Sequence, residues 1–149
     1  MAWLAGACFA LRDDPVRAGA AALTLGLGVG VSAFLSASGS YAQYGASVGA
    51  GAGAFLLAQM LLGRTIQAGA TFTLSVGVAC GLIAAGALLG AQLPWYAAAT
   101  FALVPVATLL PLPKGGVWIQ AIAASAYGGI VAVAACLLSW PGMQQRLGL

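Results

Sequence analysis

Residues 12–36 read RDDPVRAGAAALTLGLGVGVSAFLS, a polar turn followed by a long apolar run. Asp14 is a good N-cap residue because its carboxylate can accept a hydrogen bond from a first-turn backbone N–H, and Pro15 suits the first helical position. The run from 15 to 36 is within the roughly 17–25 residues that a helix needs to cross a bilayer. The stretch therefore predicts a transmembrane helix over residues 15–36, capped by Asp14.

Further apolar runs of similar length follow, separated by turn signals. They predict spans over residues 41–62, 66–89, 94–110 and 117–140. Pro105 predicts a kink inside the fourth span, and the proline- and glycine-containing segment 111–116 cannot continue a helix. Residues 1–11 are apolar but would cross only about half of the hydrocarbon core, so they predict an interfacial or half-inserted helix. The expected fold is an all-α, polytopic transmembrane bundle of about five spanning helices, forming a single domain over residues 1–149.

The composition excludes a soluble globular domain. Of the 149 residues, 62% are hydrophobic and 5% are charged, whereas a soluble domain carries about a quarter charged residues. The basic residues are scattered singly, so no patch predicts nucleic-acid binding. Histidine is absent, and Cys8, Cys80 and Cys136 lack the closely spaced pairs of a zinc site, so no metal site is predicted.

The basic residues also predict how the chain is oriented. With alternating spans, Arg12, Arg17, Arg64 and Lys114 fall on one side, while Arg146 falls on the other. The excess of positive charge places the N-terminus in the cytoplasm by the positive-inside rule. Apolar helical runs without the alternation of a β-barrel, together with alanine and glycine enrichment, predict the bacterial cytoplasmic (inner) membrane.

Glycines at regular spacing predict sites of close helix packing. Gly45, Gly49 and Gly53 form two G-x-x-x-G spacings in series in the second span, and Gly77 and Gly81 repeat the spacing in the third. Small residues let helix backbones approach closely, and this contact drives association in lipid. The second span is small on nearly all sides, which predicts that it lies in the centre of the bundle. Its partner could be a helix of this chain, another subunit or a pigment-like ligand.

No residue pattern predicts catalysis. Asp13 and Asp14 are the only side-chain carboxylates and are explained by helix capping. The interiors of the predicted spans carry no Asp, Glu, Lys, Arg or His side chain, which argues against an ion-coupled pump and against intramembrane hydrolysis. The segment from Gly49 to Ala54 loosely matches a dinucleotide fingerprint but lacks the preceding strand and the acidic residue that holds the ribose. No catalytic residue and no cofactor is predicted, and contact with a pigment or lipid stays open.

The stretch from Leu23 to Leu138 resembles the C-terminal region of a group of uncharacterised, alanine- and leucine-rich bacterial inner-membrane proteins. The shared features are Ser38-Gly39-Ser40, Gln43, the small-residue second span, the segment Gly86 to Pro94, and Leu103 to Pro105. The resemblance implies no catalytic residues. It also implies that this chain is a shortened version, with residues 1–11 as the stump of a preceding helix.

These observations favour a small membrane subunit that gives packing support to a larger assembly and is not an enzyme. Its expected partners are membrane lipids and other membrane subunits, not nucleic acid. The alternative is a small channel or facilitator for a neutral or lipophilic solute, acting as a homo-oligomer. In that alternative, Pro105 and the glycine-rich second span supply the mobile elements. A membrane enzyme is the third and least supported class.

Overall fold

A computed structural model describes residues 2–36, 39–67, 69–90 and 93–140, and every regular element in these ranges is an α-helix. The helices are α1 (Ala2–Ala10), α2 (Pro15–Leu35), α3 (Gly39–Leu62), α4 (Gly69–Gly90), α5 (Trp95–Phe101), α6 (Val104–Ala107) and α7 (Val117–Leu138). The predicted all-α class is confirmed. Ser38 and Arg146 lie outside the described residues.

Four helices, α2, α3, α4 and α7, are long and apolar enough to cross a membrane. The chain is therefore a multi-pass membrane protein by the length and composition of its helices. The start of α4 differs from the prediction by three residues. Gly63 and Gly69 have φ angles of +62° and +66°, outside the right-handed helical region, so α3 ends before Gly63 and α4 begins no earlier than Gly69.

The fourth predicted span is interrupted rather than kinked. α5 ends at Phe101, and α6 begins at Val104. Pro105 has no N–H to donate to the Phe101 carbonyl four residues earlier, and its ring would clash with that carbonyl in a continuous helix. The proline therefore separates two short helices within the apolar stretch Trp95–Ala107.

The interrupted segment nevertheless runs from one end of α2 to the other. At one end, buried Leu93 packs with Ala33, which lies near the C-terminus of α2. At the other end, the Leu109 carbonyl accepts a hydrogen bond from Arg17 in the first turn of α2. The interval from Arg17 to Ala33 corresponds to about 24 Å of helix. The segment thus covers most of the height of the bundle.

The central helix is α2, and the prediction that the second span lies in the centre is wrong. In the most apolar 18-residue stretch of each helix, 72% of α2 is buried but only 33% of α3. α2 contacts α3, α4, α5, α6 and α7, and small residues occur on every side of it. α3 is equally rich in small residues but buries only one of its sides.

Contacts between helix ends define the directions of α3 and α7. The Gln59 amide near the end of α3 donates to the Pro15 carbonyl at the start of α2, at 3.3 Å. Ser139, just after α7, lies 3.2 Å from Ser32 near the end of α2. α3 is therefore antiparallel and α7 parallel to α2.

These directions place three basic residues at one end of the bundle. Arg17 lies in the first turn of α2, Arg64 follows the C-terminus of α3, and Lys114 precedes the N-terminus of α7. We call this the basic end.

α1 packs beside α4, and the residue that follows it packs against the first half of α2. Cys8 lies against Gly77 of α4, where an added Cβ atom would lie 3.1 Å from the Cys8 sulfur. Leu11, just after α1, is buried with Ala18 and Ala21. The short N-terminal helix is thus an integral part of the bundle, and its depth in the membrane stays a prediction.

Candidate helix-packing site

α2 and α3 meet through four glycines, Gly26 and Gly30 of α2 and Gly45 and Gly49 of α3, which we call the glycine contact. A Cβ atom added to Gly45 would lie 2.5 Å from both the nitrogen and the Cα of Gly30. One added to Gly26 would lie 2.6 Å from the nitrogen of Gly49. Real Cβ atoms do not approach other atoms so closely. The two backbones therefore touch at a separation that no residue with a side chain permits.

The glycine contact explains why α2 and α3 associate in an apolar solvent. Burying apolar side chains brings no gain there, because the lipid tails are equally apolar. Direct contact between backbones instead increases the number of atom pairs at van der Waals distance. Both helices supply this surface with the G-x-x-x-G spacing, which places the two glycines one above the other on a helix face.

The other predicted packing glycines lie elsewhere. Gly53 is one turn beyond the glycine contact, where an added Cβ atom would lie 3.2 Å from Leu23. Gly77 faces α1. Gly81 is buried beside a cavity that α2 and α5 also line. The structure therefore brings together Gly45 and Gly49 but distributes Gly53, Gly77 and Gly81 among different contacts.

Two residues of the glycine contact, Gly26 and Gly30, are absent from the predicted set. The signal that could have found them is the same G-x-x-x-G spacing, present in the run Gly26-Leu-Gly-Val-Gly30. Gly28, between them, points to another side of α2. An added Cβ atom there would lie 2.7 Å from the Phe101 ring and 3.0 Å from the Cβ of Ala132. Glycines on two sides of α2 thus admit neighbours at close range.

At the basic end, Asp14 is the N-cap of α2 and accepts a hydrogen bond from the Arg17 N–H at 3.2 Å. The Arg17 side chain continues this arrangement. Its Nε lies 2.9 Å from Asp14 Oδ2 in an ion pair without hydrogen-bond alignment. Its Nη1 donates to the carbonyls of Leu109 at 2.7 Å and Thr108 at 3.3 Å. Arg17 therefore lies within the predicted span 15–36, in its first turn, and ties α2 to the end of α6.

Gln59 is the buried polar side chain that connects α3 to the start of α2. It is fully buried, and its Nε2 donates to the Pro15 carbonyl. Its Oε1 has no hydrogen-bond partner among the described residues. An unpaired buried amide oxygen costs free energy in an apolar surrounding. Gln59 therefore stabilises the contact between α3 and α2 by less than a fully hydrogen-bonded amide would.

At the opposite end, hydroxyl and thiol groups connect α2 to α7. The Ser32 hydroxyl donates to the Cys136 sulfur at 3.5 Å, and the Cys136 thiol donates to the Gly28 carbonyl at 3.6 Å. The Ser139 hydroxyl also donates to the Ala135 carbonyl, at 2.9 Å. These hydrogen bonds are weak, and they support a well-packed contact between the two helices.

The side of α3 away from α2 carries exposed large residues at Tyr44, Leu57 and Leu61. The rest of this side, over residues 43–54, is exposed and small, and we call it the outer face. It consists of Gln43, Ala46, Ser47, Ala50, Gly51 and Ala54. An added Cβ atom at Gly51 would meet no atom within 4 Å. The exposed sides of α4 and α7 are instead formed largely by big aliphatic residues. Examples are Leu74, Val78 and Leu82 of α4 and Ile122, Ile130 and Val133 of α7.

No protein-family model, no curated protein and no solved structure matches the chain. Among the described residues, no group of three or more His, Cys, Asp or Glu side chains could hold a metal ion. The structure presents two packing surfaces as candidate sites: the glycine contact inside the chain and the outer face of α3.

Proposed function

We propose that this chain is a small integral membrane subunit that gives packing support to a larger membrane protein assembly, with no chemistry of its own. The observation that supports the proposal is the outer face of α3. Small residues at intervals of four, such as Ala46, Ala50 and Ala54 or Ser47 and Gly51, form the kind of surface on which another helix packs closely in lipid.

Packing within the chain does not account for these small residues. Gly45 and Gly49 must lack side chains because the α2 backbone lies against them, whereas the space around Gly51 is open. The large aliphatic residues on α4 and α7 suit contact with fluid lipid tails, while the outer face supplies mainly short side chains and includes the amide of Gln43. A helix from another membrane protein would use both the small residues and the polar groups.

We also propose which membrane holds the chain and which end of the bundle faces the cytoplasm. Arg17, Arg64 and Lys114 lie at the same end of the bundle, and this clustering supports a cytoplasmic basic end under the positive-inside rule. The N-terminal segment with Arg12 lies at that end as well. A bacterial inner membrane remains the proposed location, and other membrane subunits and lipids are the proposed partners.

The test compares two glycine substitutions in open space. Gly51→Leu fills the outer face, and Gly129→Leu makes the same change on α7, where an added Cβ atom likewise meets nothing within 4 Å. Native mass spectrometry of the complex, extracted from its own membrane in mild detergent, measures the stoichiometry of co-purifying subunits. We expect a fixed stoichiometry for the unchanged chain and Gly129→Leu, and loss of the partner for Gly51→Leu.

Gly49→Leu is unsuitable for this purpose although it lies only two residues away. Its Cβ atom would lie 2.8 Å from the Leu27 side chain and 2.9 Å from the Leu27 nitrogen. The change would therefore separate α2 from α3 and disturb the chain itself. Partner stoichiometry that survives Gly51→Leu would contradict the proposal.

The alternative, a channel or facilitator for a neutral or lipophilic solute, has one observation in its favour. An apolar cavity of about 220 Å³ lies between α2, α4 and α5 and is lined by Val29, Cys80, Phe101 and Ala102. Ala102 belongs to the break between α5 and α6, so the interrupted segment itself lines the cavity. A pure homo-oligomer that carries a small uncharged solute into liposomes would favour this alternative over the subunit.

A further inference from the structure

An open apolar groove lies between α3 and α7 on the surface of the bundle. It has a volume of about 570 Å³, which is within the range of small-ligand sites of about 300–1,000 Å³. Gly53 and Met60 are the first and last of its lining residues on α3, and Ala121 and Ala126 are those on α7, while α2 contributes Leu23 beneath them. The groove therefore faces the surroundings that a membrane would fill with lipid tails.

The groove occupies only one half of the height of the bundle. From Gly53 to Met60 it follows about 10 Å of helix, compared with about 30 Å for a whole hydrocarbon core. Met60 is close to the C-terminus of α3, and Ala121 is close to the N-terminus of α7. Both ends belong to the basic end, so the groove lies in the half of the bundle nearest to it.

Two cations lie in the connections next to the two helices that form the groove, at the basic end. Arg64 follows Met60 by four residues, just beyond the end of α3. Lys114 lies in the connection between Leu112 and Val117, and both of these side chains pack against the same cluster as Met60. The groove therefore ends close to two positively charged residues of the basic end.

These two cations have no counterion within the described part of the chain. The sequence has two acidic side chains, and both are engaged: Asp13 lies 3.4 Å from Arg12 Nε, and Asp14 lies 2.9 Å from Arg17 Nε. Arg64 and Lys114 are exposed and form no ion pair among residues 2–36, 39–67, 69–90 and 93–140. Neutralising them therefore requires an anion from outside this part of the chain.

We propose that the groove binds one anionic phospholipid of the surrounding bilayer, with an acyl chain along the groove and the phosphate group between Arg64 and Lys114. The apolar lining alone suits any hydrophobic partner, whereas the two cations at the basic end select an anionic headgroup. A juxtamembrane lysine or arginine contributes to the binding of anionic lipid to a degree that corresponds to about fivefold in affinity. This inference does not depend on the proposed subunit function.

The first test varies the charge. The full-length chain, stripped of lipid in mild detergent, is titrated with phosphatidylglycerol or phosphatidylcholine, and native mass spectrometry measures the bound fraction. We expect tighter binding of phosphatidylglycerol. Replacing both cations (Arg64→Gln with Lys114→Gln) should weaken it about 25-fold and leave phosphatidylcholine unchanged. Arg12→Gln removes a charge elsewhere at the basic end and should have little effect.

The second test fills the groove. Ala126→Phe places a ring in it, and Val133→Phe makes a matched change two turns further along the exposed side of α7. We expect Ala126→Phe to weaken the binding of both lipids and Val133→Phe to leave both unchanged. If Ala126→Phe does not fold, the charge variants still test the proposal, because Arg64 and Lys114 are exposed and lie outside the helices.

Two kinds of result would overturn the proposal. One is equal binding of the two lipids by the unchanged chain, or phosphatidylglycerol binding that survives the double charge variant. The other is capture of another membrane subunit by a photocrosslinker at Ser125, since the groove would then belong to a protein. The subunit proposal is tested by partner stoichiometry with Gly51→Leu, and the lipid proposal by lipid binding with other variants. The two proposals can therefore fail independently.

Discussion

Adding one methyl group in the glycine contact should destabilise the chain through the α2–α3 pair. In Gly45→Ala the new Cβ would lie 2.5 Å from the nitrogen and Cα of Gly30 and 3.0 Å from the Gly26 carbonyl oxygen, whereas ordinary contacts begin at 3.4 Å. These neighbours are backbone atoms, which cannot rotate away as a side chain would. The two helices must therefore move apart by roughly 1 Å, and a gap of that size forfeits up to half of the van der Waals energy of each separated atom pair.

The expected loss follows from two opposing effects. Overpacking costs about 1–3 kcal/mol, and contact with fixed backbone atoms puts Gly45→Ala near about 3 kcal/mol. Alanine is the better helix former by up to about 1 kcal/mol. The free energy of unfolding should therefore fall by about 2 kcal/mol.

Unfolding by sodium dodecyl sulfate in mixed micelles, followed by circular dichroism, measures this difference. Gly51→Ala is the matched control: it makes the same chemical change on the same helix in open space, and it should be neutral or stabilise by up to about 1 kcal/mol. Equal stability of Gly45→Ala and Gly51→Ala would refute the argument from close approach. Gly30→Ala added to Gly45→Ala should cost less than it does alone, because the helices are already apart.

Further substitutions at two residues address the polar groups at the basic end. Asp14→Ala removes the N-cap of α2 and should lower the free energy of unfolding by about 1 kcal/mol in the same titration, while Asp14→Asn should retain most of it because asparagine caps equally well. Gln59→Leu removes the unpaired buried oxygen together with one 3.3 Å hydrogen bond, so stability should change by less than about 1 kcal/mol. A loss well above about 2 kcal/mol would mean that Oε1 has a partner, since that is the cost of breaking a satisfied buried bond.

The positions of α2, α3, α4 and α7 could be predicted to within three residues because two simple signals coincide. Apolar runs of the length that spans a membrane are bounded by glycine, proline and charged residues, and the Asp14-Pro15 pair marks the start of α2. The interruption before α6 was harder to predict. Proline in an apolar run either kinks a helix or breaks it, and the outcome depends on neighbours. Here Phe101 turns its ring against Gly28 of α2, and this contact accompanies a helix that ends at Phe101.

The identity of the central helix could not be predicted from composition. α2 and α3 are both rich in glycine and alanine, so each could serve as the closely packed element. What distinguishes α2 is that each of its sides fits a different neighbour: Gly26 admits α3, Gly28 admits α5 and α7, and Leu25 packs with Cys80 of α4. Such fits depend on residues far apart in the sequence.

The side of α3 that faces α2 could not be predicted from the sequence, and it bears directly on function. Gly49 and Gly51 are two residues apart and point about 200° apart around the helix. One lies against the α2 backbone and the other in open space, yet nothing in a helix that is small on both sides distinguishes them. Close contact with α2 explains glycine at one position and leaves the other unexplained. A small residue with no internal neighbour suits close approach from outside, and for that reason Gly51, rather than the predicted Gly49, is the position at which to look for a partner.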